Sequence, residues 1–123
     1  MTLRDDMSTL QYEISAWANE TFPDSAMPGV MAHLIEEVEE LFEATQSAEE
    51  AAKRNDDDPD MYAVKVDEVA DECADVMHLL FQVADMYGFD LLAATRLKLK
   101  VNKARTWGKP DNNGVVRHVE ASI

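Results

Sequence analysis

With 123 residues, the chain has the length of one modest domain, and its 46% hydrophobic and 29% charged residues fit an ordered, soluble domain. No apolar run approaches the ~18 residues of a membrane helix. Its net charge of −14 argues against nucleic-acid binding, because an acidic surface repels phosphates. Cys73 is the single cysteine, so an intrachain disulfide is impossible. Together with an N-terminal segment that lacks the apolar core of a signal peptide, this predicts a cytoplasmic protein.

Helical spacing of apolar residues recurs along the chain and predicts four helices. The segments "TFPDSAMPG" and "NDDDPD" separate the first three, Gly88 is expected to end the third, and Asp90 is expected to cap the fourth. The predicted helices span about 5–20, 29–54, 61–87 and 91–105. Residues 106–123 are expected to form an extended tail. Short loops between helices favour an all-α, antiparallel four-helix bundle, with residues 1–123 forming a single domain.

Charge is divided unevenly along the chain. Residues 1–95 carry 4 Lys or Arg and 23 Asp or Glu, a net charge of −19. Residues 96–123 carry 7 Lys or Arg and 2 Asp or Glu, a net charge of +5. The acidic part can attract divalent cations, and the basic part can face an anionic group bound to those cations. We therefore expect no nucleic acid polymer and no membrane as a partner.

The two central predicted helices carry matching acidic pairs. "EEVEELF" begins at residue 36 and "DECADVM" at residue 71. On a helical wheel, Glu37 and Glu40 lie about 60° apart on the flank of the apolar stripe, and Glu72 and Asp75 take the equivalent places. Packing the two stripes together is therefore expected to bring four carboxylates close to one another.

A solvated acidic face is the alternative interpretation of such helices, and it is the usual one. Few basic residues lie at i+4 to relieve the repulsion, and the same flank is used on both helices, which favours a cation site. Carboxylate oxygens are the ligands that Mg²⁺ prefers, and Mg²⁺ often bridges protein carboxylates to substrate phosphates. The pattern therefore predicts a site for Mg²⁺, with Mn²⁺ as a possible substitute.

Several stretches in this order resemble one enzyme family. The E-x-x-E and E-x-x-D pairs are followed by "KLKVNKARTWG", similar to a K-x-x-x-N-x-x-R signature, and preceded by "EISAWANETFPD". This order resembles the MazG-like, all-α nucleoside triphosphate pyrophosphohydrolases, and looks closest to the dATP/dGTP branch. The resemblance covers about residues 11–119. It implies a MazG-like bundle that hydrolyses nucleoside triphosphates to the monophosphate and pyrophosphate with Mg²⁺, as a homodimer or homotetramer.

The resemblance also implies roles for individual residues. It assigns metal binding to Glu37, Glu40, Glu72 and Asp75, and substrate binding to Lys98, Asn102 and Arg105.

Four further residues are interpreted from their positions. Glu36, an extra acid beside the first pair, is the candidate for activating water or for supporting the metal ligands from behind. Phe22 follows the first helix in a Pro-rich loop and is expected to stack on a base, whereas Trp17 lies on an apolar stripe and is expected in the core. His33 precedes the acidic motif and is a candidate for nucleotide contact, with a solvent-exposed position as the equal alternative.

Other functions stay open at this point. dGTP and dATP are the expected substrates, and a house-cleaning enzyme for other or modified deoxynucleotides fits the same pattern. A non-enzymatic acidic adaptor would need neither the paired carboxylates nor the Lys98, Asn102 and Arg105 set. A di-iron carboxylate bundle would require Glu-x-x-His motifs, and the sequence contains none.

Overall fold

A computed structural model describes residues 3–54 and 58–120, and most of these residues are helical. The helices are α1 (Leu3–Thr21), α2 (Met27–Lys53), α3 (Pro59–Tyr87) and α4 (Leu91–Ala104). The predicted all-α class is confirmed, and each predicted helix end lies within two residues of the observed one. Residues 55–57 of the predicted loop and residues 121–123 of the predicted tail lie outside the described residues.

Helix ends follow from local chemistry. Asp58 precedes α3, and its carboxylate accepts a hydrogen bond from the Met61 N–H at 3.1 Å, while Pro59 supplies a fixed φ at the first turn. Gly88 ends α3 in the left-handed conformation, with φ 76°, and its N–H donates to the last carbonyls of the helix. The predicted role of Gly88 is confirmed, and Asp90 directly precedes α4 as expected.

The residues up to Leu91 form one compact unit that contains α1, α2 and α3. Helices α2 and α3 pack along each other, and α1 packs on α3. The connection between α2 and α3 is short, which makes them an antiparallel hairpin. The Gln11 side chain ties α1 to the end of α3: its amide donates to the Phe89 carbonyl at 3.0 Å, and its carbonyl accepts from the Leu91 N–H at 2.9 Å.

The core of this unit is small and lies where α1 and the start of α2 meet the second half of α3. Its buried apolar residues are Ile14, Ala18, Val30, Leu79, Phe81 and Ala84. An apolar stripe on α2 is about half exposed, with Ile35 56%, Val38 47% and Phe42 62% exposed. Among the described residues, no helix combines the length and apolarity needed to cross a membrane.

The residues from Leu92 onward form a second compact unit. After α4, residues 106–120, predicted to be extended, fold back into a small hairpin of β1 (Thr106–Trp107) and β2 (His118–Val119). Asp111 closes its loop by accepting hydrogen bonds from the N–H groups of Asn113 and Val115 and from the Arg117 guanidinium at 2.6 Å. These bonds hold the pKa of the Asp111 carboxyl below its usual value. That residues 1–123 act as a single domain stays a prediction.

Candidate metal and nucleotide site

Three carboxylates meet between α2 and α3. Glu37 and Glu40 lie one turn apart on α2, and Glu72 lies opposite them on α3. One oxygen from each lies within 4.8 Å of the other two. Because α2 and α3 are long, antiparallel and packed together, the E-x-x-E pair of one helix faces the acidic motif of the other. This cluster of Glu37, Glu40 and Glu72 is called the acid cluster below.

Two oxygens of the acid cluster are buried without a hydrogen-bond donor. Glu37 Oε2 and Glu72 Oε2 have no partner, whereas Glu37 Oε1 lies 3.1 Å from His33 Nε2. A buried carboxylate oxygen without a donor is unfavourable, so such oxygens are rare unless a cation binds them. The hard anionic oxygens at this spacing are suited to a hard divalent ion such as Mg²⁺ or Mn²⁺.

Electrostatic strain in the acid cluster is concentrated on Glu72. Loss of hydration on burial and the neighbouring Glu40 and Glu37 carboxylates raise the pKa of Glu72 from 4.5 to about 7. In the absence of a cation, the cluster therefore relieves its repulsion by taking up a proton on Glu72 as pH falls through about 7. A divalent cation would replace that proton, because it neutralises more of the charge.

A cavity of about 360 Å³ adjoins the acid cluster. It has an acidic end, with Glu37 and Asp75, and an aromatic wall built by Trp17 of α1 and Phe22 of the loop after it. The two rings meet edge to face, with centroids 5.4 Å apart, and each is about half exposed, 49% for Trp17 and 48% for Phe22. The remaining lining residues are Ser25, Gly29, Val30, His33, His78, Leu79 and Gln82.

An acidic end and an aromatic wall in one cavity match the two ends of a nucleotide. Carboxylates can hold cations that bind phosphates, and aromatic faces can stack on a base. A volume of this size lies within the range of small-molecule sites.

The structure brings together most of the predicted site residues of the first unit. Glu37, Glu40 and Glu72 form the acid cluster, while Asp75 lines the cavity beside Glu37 but is not part of the cluster. Phe22 and His33 also line the cavity. Glu36 is exposed and does not line it, so its predicted role in activating water stays a prediction.

Three predicted substrate-binding residues, Lys98, Asn102 and Arg105, lie in the second unit. Asn102 is engaged within that unit, since its side-chain oxygen accepts from the Arg105 guanidinium at 3.2 Å and its carbonyl accepts from the Trp107 indole at 2.9 Å. Asn102 therefore orients Arg105. The substrate-binding roles of Lys98, Asn102 and Arg105 stay predictions from the family resemblance.

Sequence reasoning misplaced Trp17 and missed several other residues that line the cavity, among them His78 and Gln82. Trp17 was predicted in the core, which is wrong: its ring is half exposed and forms the cavity wall beside His78 of α3, with ring centroids 6.4 Å apart, while Ile14 and Ala18 are the apolar residues that α1 buries. His78 and Gln82 also line the cavity. Their only sequence signal is their spacing of three and seven residues after Asp75, which places them on its face of α3.

Comparison with known proteins finds similar phage enzymes. No family model matches the chain. The dATP/dGTP diphosphohydrolase of cyanophage S-2L is 32% identical over 116 residues, which cover 94% of this chain and 90% of the relative. A protein of the same name from Salmonella phage PMBT28 is 29% identical over 113 residues, which cover 92% of this chain and 31% of that longer protein.

A solved structure is also similar. It is the cyanophage S-2L MazG-like pyrophosphohydrolase, bound to dGDP and three catalytic Mn²⁺ ions per active site. The TM-score is 0.63 at 32% identity, and the match covers 93% of this chain and 97% of that chain. The fold and the site thus define a MazG-like pyrophosphohydrolase. Within that class, the chain belongs to the dATP/dGTP diphosphohydrolase family, as the sequence resemblance predicted.

Proposed function

We propose that the chain hydrolyses dGTP and dATP to the monophosphate and pyrophosphate, in a reaction that requires Mg²⁺ or Mn²⁺. The observation that carries the proposal is the continuity of the acid cluster with an aromatic-walled cavity of nucleotide size. The named activity of the cyanophage relative, at 32% identity over nearly the whole chain, supports the same substrates.

The carboxylates of the two central helices fit the metal ions. Glu37, Glu40 and Glu72 would hold them, since they present a compact set of hard oxygens with two buried oxygens lacking donors. Asp75 is the proposed fourth ligand because it lines the cavity next to Glu37. Bound divalent ions would neutralise the phosphate charge and polarise the phosphoryl oxygens, which makes the α-phosphorus a better target for water.

The side chains around the metal position have their own tasks. The hydrogen bond from His33 fixes Oε1 of Glu37 and leaves Oε2 without a partner among the described residues, so that Oε2 is free to bind a metal ion. Trp17 and Phe22 exclude water from the base and offer it aromatic surface. Placing the base on this wall directs the triphosphate toward Glu37 and Asp75, where attack at the α-phosphorus breaks its bond to the bridging oxygen and releases pyrophosphate.

The test is a panel of ribo- and deoxyribonucleoside triphosphates with Mg²⁺, with products resolved by chromatography. We expect dGTP and dATP to be cleaved fastest, to the monophosphate and pyrophosphate, and turnover to stop when the metal is chelated. Glu72→Gln is expected to lower turnover by two orders of magnitude or more, because it removes a ligand charge from the cluster. Glu39→Gln, an exposed acid on α2, is the matched control and should remain active. Release of orthophosphate, or full activity of Glu72→Gln, would contradict the proposal.

We also propose that the chain assembles as a homodimer or homotetramer. The exposed stripe formed by Ile35, Val38 and Phe42 occupies one side of α2, where three large apolar side chains are each about half exposed. Covering this stripe with a second copy would bury it. Light scattering is expected to give a mass of at least twice 13.8 kDa, and Phe42→Glu should lower it. A 13.8 kDa species with full activity would refute the proposal.

A further inference from the structure

Gln82 occupies a distinctive place in the cavity. It lies on α3, seven residues after Asp75 and therefore on the same face of the helix, displaced along the axis by about 10 Å. His78 lies between them, about one turn from Asp75. If the phosphates lie at Glu37 and Asp75, then His78 is level with the sugar and Gln82 is level with the far edge of a base.

The Gln82 amide is not engaged by the protein. The side chain is partly buried, and among the described residues no hydrogen-bond partner is found for it. Two amides of α1 do have partners: Gln11 bonds Phe89 and Leu91, and the Asn19 amide donates to Asp85 at 3.3 Å. A partly buried amide that lines a cavity and has no partner is suited to hydrogen-bond a ligand there.

We propose that Gln82 reads the Watson–Crick edge of the purine and accepts both adenine and guanine by turning its amide over. This inference rests on the proposed function. Adenine presents an N6–H donor beside the N1 acceptor, and guanine presents the O6 acceptor beside an N1–H donor. A primary amide carries one acceptor and one donor in a plane, and a half-turn about its terminal bond exchanges them. The same side chain can therefore make two hydrogen bonds to either purine.

Reach, rather than hydrogen-bond pattern, would separate purines from pyrimidines. Cytosine offers the same donor and acceptor order as adenine, and thymine offers the order of guanine, so the amide alone does not exclude them. A pyrimidine is one ring shorter, however, and held by the same phosphates it would end short of Gln82. Its edge would then leave the amide unpaired, which penalises binding.

The test is the effect of Gln82→Glu on the ratio of kcat/KM for dGTP to that for dATP, measured at pH 8. A carboxylate accepts hydrogen bonds from guanine N1–H and N2–H, but it faces the adenine N1 lone pair without a donor. We expect the dGTP to dATP ratio to rise by about tenfold or more. Gln46→Glu, the same charge change at an exposed position on α2, is the control and should leave the ratio unchanged.

A second variant separates recognition from chemistry. Gln82→Met keeps the length of the side chain and removes both polar groups. The kcat/KM values for dGTP and dATP should therefore fall about equally, through a higher KM rather than a lower kcat, and the preference for purines over pyrimidines should narrow. Calorimetric titration with dGMP and dAMP should show the same shifts in affinity without turnover. An unchanged dGTP to dATP ratio in an active Gln82→Glu enzyme would overturn the role of Gln82. Failure of the wild-type protein to cleave any triphosphate would instead overturn the proposed function.

Discussion

Metal binding at the acid cluster should depend on pH, because Glu72 of the metal-free protein takes up a proton as pH falls through about 7. Burial and the carboxylates of Glu40 and Glu37 raise the pKa of Glu72 from 4.5 to about 7. A metal ion has to displace that proton. Glu72 is deprotonated in about one tenth of molecules at pH 6 and in about nine tenths at pH 8. The apparent Kd for Mn²⁺ is therefore expected to be about tenfold higher at pH 6 than at pH 8.

Calorimetric titration of the metal-free protein with Mn²⁺ at the two pH values measures this directly. Glu72→Gln cannot lose a proton in this range, so it should bind Mn²⁺ more weakly and with less dependence on pH. Glu39→Gln, an exposed acid on the same helix as Glu37, should behave like the wild-type protein. Equal wild-type affinities at pH 6 and pH 8 would refute the coupling between the proton and the metal.

The metal-free fold, the helix ends and the cavity wall each carry a further prediction. Because the pKa of Glu72 is raised in the fold, its protonation contributes stability that is fully present below pH 4.5 and is lost as pH rises through about 7. The Tm of the metal-free protein should therefore fall across that window, and it should fall less in Glu72→Gln. Asp58→Ala should lower the free energy of unfolding by about 1 kcal/mol in urea, since it removes the α3 cap. Gly88→Ala should lower it by about 1 kcal/mol because Ala is strained at φ 76°. Trp17→Ala should raise KM for dGTP more than it lowers kcat. Tyr12 is 74% exposed, and Tyr12→Ala should change neither KM nor kcat. The same effect on KM in both variants would contradict the stacking role of Trp17.

The helices and most of the acidic site follow from short-range sequence patterns. Pro, Gly and Asp at the breaks fix where α2, α3 and α4 begin or end, so their bounds could be predicted closely. Glu37 and Glu40 share a face because of their i, i+3 spacing, and Glu72 meets them because the two helices form an antiparallel hairpin. Asp75 shares the face of Glu72, but one turn further along α3 it lines the cavity rather than the cluster.

What the sequence could not predict is which apolar face each helix buries within its own chain. Helix α1 carries both Ile14 and Trp17 at helical spacing, and only contact with α3 decides that Ile14 is buried and Trp17 lines the cavity. In α2, Val38 belongs to the apolar pattern but is 47% exposed. This exposure could not be predicted, because periodicity does not distinguish an apolar face that the chain buries from one that it leaves exposed. Residues 106–107 form too short a strand for alternation to reveal, so the hairpin was not anticipated.

The central claim is that water attacks the α-phosphorus of a purine deoxynucleoside triphosphate at the acid cluster. Hydrolysis of dGTP with Mg²⁺ in ¹⁸O-labelled water, followed by mass spectrometry of the products, tests it most directly. The account predicts one ¹⁸O atom in dGMP and none in pyrophosphate, because the bond that forms joins the water oxygen to the α-phosphorus. Label in pyrophosphate, or formation of dGDP and orthophosphate, would contradict it.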